Sequence, residues 1–407
     1  MYERILVRYG DLTLKGKNKR FFVKQANKLV KEKVKSDKVS YERNHDRLYI
    51  KLNGEDPQVV IDGLNHVSGL SSYSLIKKVD TDLETIKKES LAILKQEITQ
   101  PGILFKVDVK RADKTYPMIS PEVTKELAKY VLRRTQGLIV DVHNPELVLN
   151  VEIRREGAYI YCHKIKGMGG YPVGMGGKGL LMMSGGIDSP VAAFQAMKQG
   201  IDIDLIHFES TPLTSIESAQ KVIDLAKKLS VYAPGNTIKL HMVPFEEMHQ
   251  ALLNHVHDSY QITIMRRMMY RIAEQFANNH DHQVIINGDS VGQVASQTLE
   301  SMTVVNNVIK MPILRPLATT DKLDIIAMSK DIDCYDISIR PFEDCCTVYV
   351  PKSPITKPRE NNCLGQEEGF DYQSIIERII PKIKTIDVTE NLNLDLTVGG
   401  FTVQNAL

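Results

Sequence analysis

The chain has 407 residues, of which 43% are hydrophobic, and this is enough to bury the cores of more than one domain. It contains no run of about 18 apolar residues, and its first ten residues, MYERILVRYG, are too short and too charged for a signal peptide. These features exclude a membrane-spanning protein and a secreted one, and they predict a cytoplasmic protein with no membrane partner.

The cysteines are five in number and irregularly spaced, which argues against a framework of structural disulfides. None of them forms the Cys-x-x-Cys pair that is typical of a structural zinc site, so we expect no direct structural metal site. Individual thiols are therefore candidates for chemistry.

The net charge of +2 is unevenly distributed. Residues 1–51 contain 15 Lys and Arg against 6 Asp and Glu, a net charge of +9 that leaves −7 for the remainder. The lysines at 28–35 lie on a predicted amphipathic helix and are interpreted as its solvated face. Four further cations lie in a predicted loop without matching acids, which suits contacts with a polyanion such as RNA. They are Lys15, Lys17, Lys19 and Arg20.

Hydrophobic periodicity predicts two α+β units in the first part of the chain, at residues 1–59 and 60–166. In the first unit, strands are predicted at 5–8 and 46–52 and a helix at 20–35. In the second, helices are predicted at 83–98 and 121–135, and strands at 104–109, 147–153 and 158–163. Seven glycines in the sixteen residues KIKGMGGYPVGMGGKG then indicate a linker, placed at 167–178.

Residues 179–407 show a different rhythm, in which short apolar strands alternate with helices. The strands are LLMM, DLIHF, IKLHMV and QVIING. This alternation predicts an α/β domain built on a doubly wound parallel sheet.

The motif SGGIDS lies between the first of these strands and a helix that starts near Pro190. Two glycines allow a sharp turn that directs several backbone N–H groups at one point, and the helix N-terminus adds partial positive charge. An ordinary glycine-rich turn is the alternative, but the hydroxyls of Ser184 and Ser189 favour an anion cradle. Asp188 suits a magnesium ion beside a phosphate, or a backbone turn. The Gly-Lys-Ser/Thr of a Walker loop is absent, so a different phosphate chemistry is predicted.

Further polar residues follow the other strands, and in a parallel sheet these strand ends meet at one edge. His207 and Phe208 end the second strand and could equally be core residues, whereas Gly288 lies in NGDSVGQVASQT after the fourth. The adjacent Arg266 and Arg267 lie in a methionine-rich helical stretch, IMRRMMYRIA, where a partly buried phosphate or carboxylate partner suits them better than a solvated face.

Two adjacent cysteines, Cys345 and Cys346, occur in RPFEDCCTVYVPKSPITKP between Arg340 and Lys352. Nearby cations can hold a thiol as thiolate, which suits a nucleophile or a sulfur carrier. A buried pair of small apolar side chains is the alternative.

Three segments together carry a family resemblance. RYGDLTLKGKNKRFF resembles the start of an N-terminal ferredoxin-like domain, and FKVDVKRADKTYP with VLNVEIRREGAYIYCHKIKG resembles a THUMP domain. Followed by GGYPVGMGGKGLLMMSGGIDSPVA, this order closely resembles tRNA 4-thiouridine synthetases (tRNA uracil 4-sulfurtransferases of the ThiI type). SGGIDS itself is similar to the PP-loop of N-type ATP pyrophosphatases.

The resemblance implies domains at 1–59 (ferredoxin-like), 60–166 (THUMP) and 179–407 (PP-loop ATP pyrophosphatase), joined by the linker. It also implies binding of ATP with Mg²⁺. The implied nucleotide residues are Met182, Met183, Ser184, Gly185, Gly186, Asp188, Ser189, His207, Phe208, Arg266, Gly288 and Gln297. Implied RNA contacts in the THUMP-like unit are Lys110, Arg111 and Lys114.

The implied reaction is attack of O4 of tRNA uridine 8 on the α-phosphorus of ATP, followed by attack of a cysteine persulfide on C4 to give 4-thiouridine. Asp188 would support the first step; Cys346, with Cys345 second, would carry the sulfur, and Cys334 or Cys363 would resolve a disulfide. The chain is short for a form with a C-terminal rhodanese domain, so we expect a separate cysteine desulfurase as donor.

Several alternatives stay open at this point. Some relatives supply sulfur to a sulfur-carrier protein for thiamine thiazole synthesis, and a homodimer would let one subunit hold tRNA for the other's active site. The competing functions are another PP-loop tRNA-modifying enzyme and a non-catalytic RNA-binding protein.

Overall fold

In the computed structural model, which describes residues 2–43, 47–342, 354–398 and 402–407, the chain divides into two units. The first unit is Met1–Gly170 and the second is Tyr171–Leu407. The break therefore falls inside the glycine-rich segment for which the sequence predicts a linker. In the described part of the chain, no helix combines the length and the apolar character needed to span a bilayer.

The first unit alternates helices with the strands of one sheet. In chain order its elements are β1 (Arg4–Arg8), α1 (Lys19–Lys33), β2 (Ser40–Arg43), β3 (Arg47–Lys51), α2 (Pro57–Asn65), β4 (Ser72–Val79), α3 (Leu83–Glu97), β5 (Ile103–Arg111), α4 (Ser120–Leu132), β6 (Leu138–Val140), β7 (Leu147–Arg154), β8 (Gly157–Tyr161) and β9 (Ile165–Lys166).

Strand β4 connects the two predicted N-terminal units. The strand order is β2-β3-β1-β4-β8-β7-β5-β6, with β9 also paired to β4. Residues 72–76 of β4 pair with β1, and residues 77–79 pair with β8. Both predicted units therefore share one hydrogen-bonded sheet. Strand β9 lies at the start of the glycine-rich stretch and pairs with β4, so the chain there is part of the sheet.

The second unit contains the remaining elements. They are β10 (Lys178–Met182), α5 (Asp188–Lys198), β11 (Asp202–Glu209), α6 (Ile216–Ser230), β12 (Thr237–Pro244), α7 (Glu246–His255), α8 (Gln261–Asn279), β13 (Val284–Ile286), α9 (Leu299–Asn306), β14 (Ile313–Leu314), α10 (Lys322–Asp331), α11 (Tyr335–Ser338), α12 (Glu360–Glu367), α13 (Tyr372–Ile379), β15 (Lys384–Thr389) and α14 (Val403–Ala406).

The sheet of this unit has the order β14-β13-β10-β11-β12-β15. Its strands are parallel except β15, which pairs antiparallel with β12. The chain starts in the centre at β10, builds outward through β11 and β12, and then returns to the other side of β10 with β13. The crevice between β10 and β13 is thus a topological switch point, where open α/β sheets bind their ligands. The predicted fold class, with its doubly wound parallel sheet, is confirmed.

Helix α8 packs its methionine-rich face into the core of this unit. Met265, Met268 and Met269 are buried there together with the side chain of Arg267. Arg267 donates to both carboxylate oxygens of Glu367, at 2.6 and 3.1 Å. A buried guanidinium needs such a partner, so Arg267 has the predicted carboxylate but belongs to the core rather than to a ligand site.

Candidate active site

The SGGIDS motif forms the turn between β10 and α5. Ser189 Oγ donates to the carbonyl oxygen of Ser184 at 2.9 Å and accepts from the Ser184 N–H at 3.0 Å. The Gly186 N–H points at Ser184 Oγ, 3.3 Å away. The two serines therefore hold the loop in its turned shape at the N-terminus of α5, where backbone N–H groups and the helix dipole favour an anion.

Gly288 brings the loop after β13 against this turn. A Cβ atom at this position would lie 2.8 Å from the carbonyl carbon of Asp188 and 2.9 Å from the nitrogen of Ser189. Only a residue without a side chain allows this approach of two backbones.

A cavity of about 280 Å³ lies at the carboxyl ends of β10, β11 and β13. This volume is close to the lower end of the range for small-molecule sites. Ten of the twelve predicted nucleotide residues line it; Gly185 and Gly186 belong to the same loop but are not in the lining. The ten are Met182, Met183, Ser184, Asp188, Ser189, His207, Phe208, Arg266, Gly288 and Gln297.

The wall on the β11 side is buried and largely apolar. His207 is 4% exposed, and its Nδ1 lies 2.9 Å from the carbonyl oxygen of Met183. Phe208 packs edge-on against Phe245 with ring centroids 5.3 Å apart. Met269 from α8 adds a thioether to the lining. Such a wall, with one polar edge, suits a flat heterocycle such as a nucleobase.

Asp289 accepts hydrogen bonds from several polar side chains on the opposite wall. This buried carboxylate accepts from Arg266 Nη2 at 2.5 Å, from Asn287 Nδ2 at 2.7 Å and from Gln297 Nε2 at 3.3 Å. Arg315 Nε approaches the same carboxylate at 3.5 Å. Asp289 therefore orients two of the predicted nucleotide residues, Arg266 and Gln297. The NGD sequence after a strand was a signal for this residue, whereas nothing in the sequence pattern indicated Arg315.

Asp188 also contacts a cation, Lys322, that the sequence pattern did not indicate. Lys322 Nζ, at the start of α10, lies 2.5 Å from Asp188 Oδ1, and Gln293 Nε2 donates to Oδ2 at 2.9 Å. Lys322 lies 134 residues beyond Asp188, and only the fold brings them together. Among the described residues, the carboxylates of Asp188 and Asp289 thus contact Arg266 in the cavity lining and two cations outside it, Arg315 and Lys322.

The structure describes no cluster of three or more His, Cys, Asp or Glu side chains suited to a metal ion in residues 2–43, 47–342, 354–398 and 402–407. Asp188 and Asp289 are the two carboxylates in the cavity lining. Two carboxylates are too few to hold Mg²⁺ by themselves. They fit a Mg²⁺ ion that is bound to a nucleotide and takes one carboxylate, water and phosphate oxygens as ligands.

Cys345 and Cys346 lie outside the described residues. The other three cysteines are buried, and burial raises the pKa of Cys162 and Cys334 to about 12 and that of Cys363 to about 11. A thiol with so high a pKa is almost entirely protonated at neutral pH and is a poor nucleophile. The described thiols are therefore poorly suited to carry or resolve a persulfide.

Residues 343–353, which contain Cys345 and Cys346, are called the CysCys segment. The described residues on both sides of it are attached to the rim of the cavity. Before the segment, Ser338 Oγ donates to the carbonyl oxygen of Gly186 in the PP-loop at 3.4 Å. After it, Thr298 Oγ1 donates to the carbonyl oxygen of Thr356 at 2.7 Å, next to the cavity residue Gln297. Ser338 and Thr356, the described residues on either side, thus lie beside the candidate site.

The predicted RNA-binding residues of the first unit form two separate groups. Lys15, Lys17, Lys19 and Arg20 come after β1 in the chain, but the prediction of a loop was wrong for Lys19 and Arg20, which begin helix α1. Lys17 and Arg20 are exposed, and Lys15 Nζ lies 5.3 Å from the centre of the Phe22 ring. In the second group, Lys110 and Arg111 form the carboxyl end of β5 and Lys114 follows it. Strand β5 runs opposite to β1 in the sheet, so the two groups lie at opposite edges.

In the second group, Lys110 and Lys114 are exposed, and Lys110 Nζ lies 3.6 Å from Asp108. Arg111 instead donates to the carbonyl oxygens of Tyr116 and Met118, at 3.0 and 3.2 Å. Its guanidinium thus holds the loop after β5, and Lys110 and Lys114 are the cations of this group that face solvent.

Three family models match the chain. "Thiamine biosynthesis protein (ThiI)" matches residues 174–372, "ThiI ferredoxin-like domain" matches 4–74 and "THUMP domain" matches 80–163. The first match contains the whole cavity described above.

Similar proteins cover the chain almost from end to end. A probable tRNA sulfurtransferase of Acholeplasma laidlawii is 51% identical over all of this chain and 98% of its own length. A second one, from a Geobacillus species, is 46% identical over 96% of this chain and 97% of its own length. Among solved structures, a 4-thiouridine synthetase in complex with RNA and ATP is 33% identical, with a TM-score of 0.85 over 95% of this chain and 100% of that chain.

Proposed function

The chain belongs to the ThiI-type tRNA sulfurtransferase family, and from this premise we propose that it uses ATP to convert uridine 8 of tRNA to 4-thiouridine. The observation that carries the proposal is the cavity at the switch point, where the PP-loop and an apolar wall meet beside the ion pairs Arg266–Asp289 and Lys322–Asp188. The 33% identical 4-thiouridine synthetase with the same fold was solved with RNA and ATP, which supports both ligands for this chain.

In the proposed ATP site, the backbone N–H groups between Ser184 and Ser189 hold the pyrophosphate end, and Arg266 and Lys322 neutralise phosphate charge. The adenine lies against the wall formed by Met183, His207 and Phe208. Gln297, Gly288 and the neighbouring loop complete the site. Lys322 leaves Asp188 for a phosphate oxygen when ATP enters, because the phosphates carry the larger charge.

Asp188 then becomes available as a ligand for a magnesium ion that arrives with ATP. Bound there, Mg²⁺ would neutralise phosphate charge and stabilise the pyrophosphate leaving group. The protein itself supplies the orientation of the α-phosphorus towards the substrate, through the fixed loop and the serine hydroxyls that brace it.

The first chemical step forms a bond between O4 of uridine and the α-phosphorus and breaks the bond from that phosphorus to pyrophosphate. In the second, the terminal sulfur of a cysteine persulfide forms a bond to C4, the C4–O4 bond breaks, and AMP leaves with that oxygen. Attack of a second thiol on the inner sulfur then leaves sulfur on the base and produces a disulfide. An external thiol reductant reduces this disulfide.

Cys346 is proposed as the persulfide carrier, with Cys345 as the alternative. The high pKa values and burial of Cys162, Cys334 and Cys363 support this choice, because a buried thiol cannot receive sulfur from another protein. A separate cysteine desulfurase is the proposed donor.

Exposed cations at the two edges of the first unit are proposed to hold the tRNA through its phosphates, mainly Lys17 and Arg20 at one edge and Lys110 and Lys114 at the other. Cytoplasmic localisation follows from the tRNA substrate. Homodimerisation and sulfur transfer to a carrier protein for thiamine thiazole synthesis are further proposals that the resemblance supports.

The test is mass spectrometry of nucleosides from unmodified tRNA incubated with the protein, ATP, Mg²⁺, cysteine and a cysteine desulfurase. We expect 4-thiouridine at position 8 with the wild type and with Cys334→Ala, and its loss in Asp188→Ala and in Cys346→Ser. Thiolation that persists in Cys346→Ser but disappears in Cys345→Ser moves the relay to Cys345. Binding of tRNA without release of AMP and pyrophosphate contradicts the proposal and favours a non-catalytic RNA-binding protein.

A further inference from the structure

Val294 is the most exposed of the described residues that line the candidate ATP site. It is 51% exposed, whereas the other described residues of the lining are buried or half-buried. Val294 therefore lies at the mouth of the cavity, where it faces both the interior and the solvent. Its side chain offers no hydrogen bond, and its exposed methyl groups gain free energy by packing against an apolar surface.

The loop that carries Val294 is hydrogen-bonded on both sides of this residue. Before it, Gln293 Nε2 donates to Asp188 Oδ2 at 2.9 Å, at the start of α5. After it, the carbonyl oxygen of Ser296 accepts from Arg266 Nη1 of α8 at 2.6 Å. Val294 is thus held between α5 and α8. A residue held in this way loses little conformational entropy when a ligand packs against it.

The order of the strands separates Val294 from the wall proposed for the adenine. Strand β10, which leads into the PP-loop, lies between β11, which carries His207 and Phe208, and β13, which precedes the loop of Val294. Neighbouring strands lie about 4.8 Å apart, so β11 and β13 are separated by about 10 Å. With the adenine on the β11 side and the pyrophosphate in the PP-loop, the β13 side of the mouth is left for the second substrate.

The second substrate of the proposed reaction presents a flat, uncharged ring. O4 of the target uridine has to reach the α-phosphorus, so the uracil leaves the base stack of the tRNA and enters the mouth of the cavity. A base out of its stack is held by contacts between its faces and apolar or aromatic side chains. A phosphate group or a ribose hydroxyl would instead need hydrogen-bonding partners, which the side chain of Val294 does not provide.

We propose that Val294 is a substrate-binding residue whose methyl groups pack against the face of the target uracil and hold its O4 towards the α-phosphorus. The inference rests on the proposed function, in which O4 of uridine is the nucleophile. ATP has its own contacts on the β11 wall and in the PP-loop. A change at Val294 should therefore impair the use of tRNA and leave the affinity for ATP unchanged.

The experiment compares Val294→Ala, which removes both methyl groups, with Val294→Thr, which keeps the shape of the side chain but introduces a hydroxyl group. Val291 supplies the matched controls Val291→Ala and Val291→Thr, because it lies in the same loop, is 44% exposed and is not among the residues that line the cavity. Release of pyrophosphate at varied tRNA concentration gives kcat/KM, and isothermal titration gives the dissociation constant of ATP. Melting temperatures identify a variant that is not folded.

A modified tRNA tests the contact with the base itself. Binding of unmodified tRNA is compared with binding of the same tRNA that carries an abasic residue at position 8, both with α,β-methylene-ATP, which cannot be cleaved at the α-phosphorus. The wild type should bind the tRNA with uridine at least about fivefold more tightly, and Val294→Ala should lose most of this preference.

We expect Val294→Ala to lower kcat/KM for tRNA about tenfold and Val294→Thr to lower it about three- to tenfold. The dissociation constant of ATP should stay within about twofold of the wild-type value, and both Val291 variants should behave as the wild type. Weaker ATP binding with an unchanged preference for the uridine-bearing tRNA would overturn the inference and assign Val294 to the nucleotide. Equal effects at Val291 and Val294 would also overturn it.

The same assays distinguish this inference from the proposed function. If the wild type releases pyrophosphate only with tRNA and makes 4-thiouridine, while Val294→Ala does so at the same rate, only the role of Val294 is wrong. If the wild type releases no pyrophosphate in the presence of tRNA, the proposed function is wrong and the inference fails with it.

Discussion

Replacement of Gly288 by alanine tests the geometry of the candidate ATP site most directly. The new Cβ would lie 2.8 Å from the carbonyl carbon of Asp188, 2.9 Å from the nitrogen of Ser189 and 3.0 Å from the carbonyl oxygen of Asp188. All three are backbone atoms of the first turn of α5, so no side-chain rotation relieves the overlap. Either the PP-loop or the loop after β13 must move.

Forcing an extra carbon into a well-packed position destabilises a protein by about 1–3 kcal/mol. If the shifted loops still keep the N–H groups of the PP-loop convergent, this energy lowers the free energy of unfolding. If they separate, it appears as weaker ATP binding, because the N–H groups of the PP-loop no longer converge. Since 1.4 kcal/mol is a factor of ten, the full amount corresponds to an ATP dissociation constant raised roughly 5- to 150-fold.

The assay combines isothermal titration with ATP and urea denaturation of the same preparations. Gly365→Ala is the matched control, because Gly365 lies within α12 and a Cβ there meets nothing within 4 Å. In Gly288→Ala, we expect the loss of ATP-binding free energy and the loss of unfolding free energy to sum to about 1–3 kcal/mol. Gly365→Ala should be neutral or slightly stabilising. Unchanged ATP affinity together with unchanged stability in Gly288→Ala would refute the reasoning.

Three further predictions concern charged groups. Lys322→Ala should slow pyrophosphate release at least about tenfold, since it removes a cation proposed to bind phosphate; Lys330→Ala on the same helix is the control, and equal rates in both variants contradict the assignment. The logarithm of tRNA affinity falls with the logarithm of salt concentration, and in Lys17→Gln/Arg20→Gln this negative slope should become shallower by about 2. An unchanged slope places these cations away from the RNA. Burial by itself would raise the pKa of Asp204, yet His241, His282 and Lys178 hold it well below its usual value. This carboxylate therefore stabilises the fold above about pH 4 and does so less as the pH falls. The difference in unfolding free energy between wild type and Asp204→Asn should shrink by about 1.4 kcal/mol per pH unit below about pH 4, and a difference independent of pH would contradict the role of Asp204.

The sequence alone was sufficient for the fold class and for ten of the residues that line the cavity. Short apolar stretches bounded by glycines and charged residues indicate buried strands, and the spacing of apolar residues indicates helices. Both signals lie within a few neighbouring residues. The alternation of strands and helices after residue 179 could therefore predict a parallel sheet. The same reasoning placed SGGIDS at a strand-to-helix turn and His207 and Phe208 at a strand end. These residues could be found because each is determined by its immediate neighbours in the chain.

Only the tertiary structure decided which distant residues share a site. The reversal of strand order between β10 and β13 brings Asp188 and Asp289 to the lining of one cavity, with Lys322 paired to Asp188 and Arg266 to Asp289, and no spacing along the chain encodes that reversal. It also separated two adjacent arginines, since Arg266 faces the cavity while Arg267 is buried against Glu367. Helical geometry turns consecutive side chains by about 100°, and which of them faces a ligand depends on what packs against the helix, a long-range property that the local pattern does not contain.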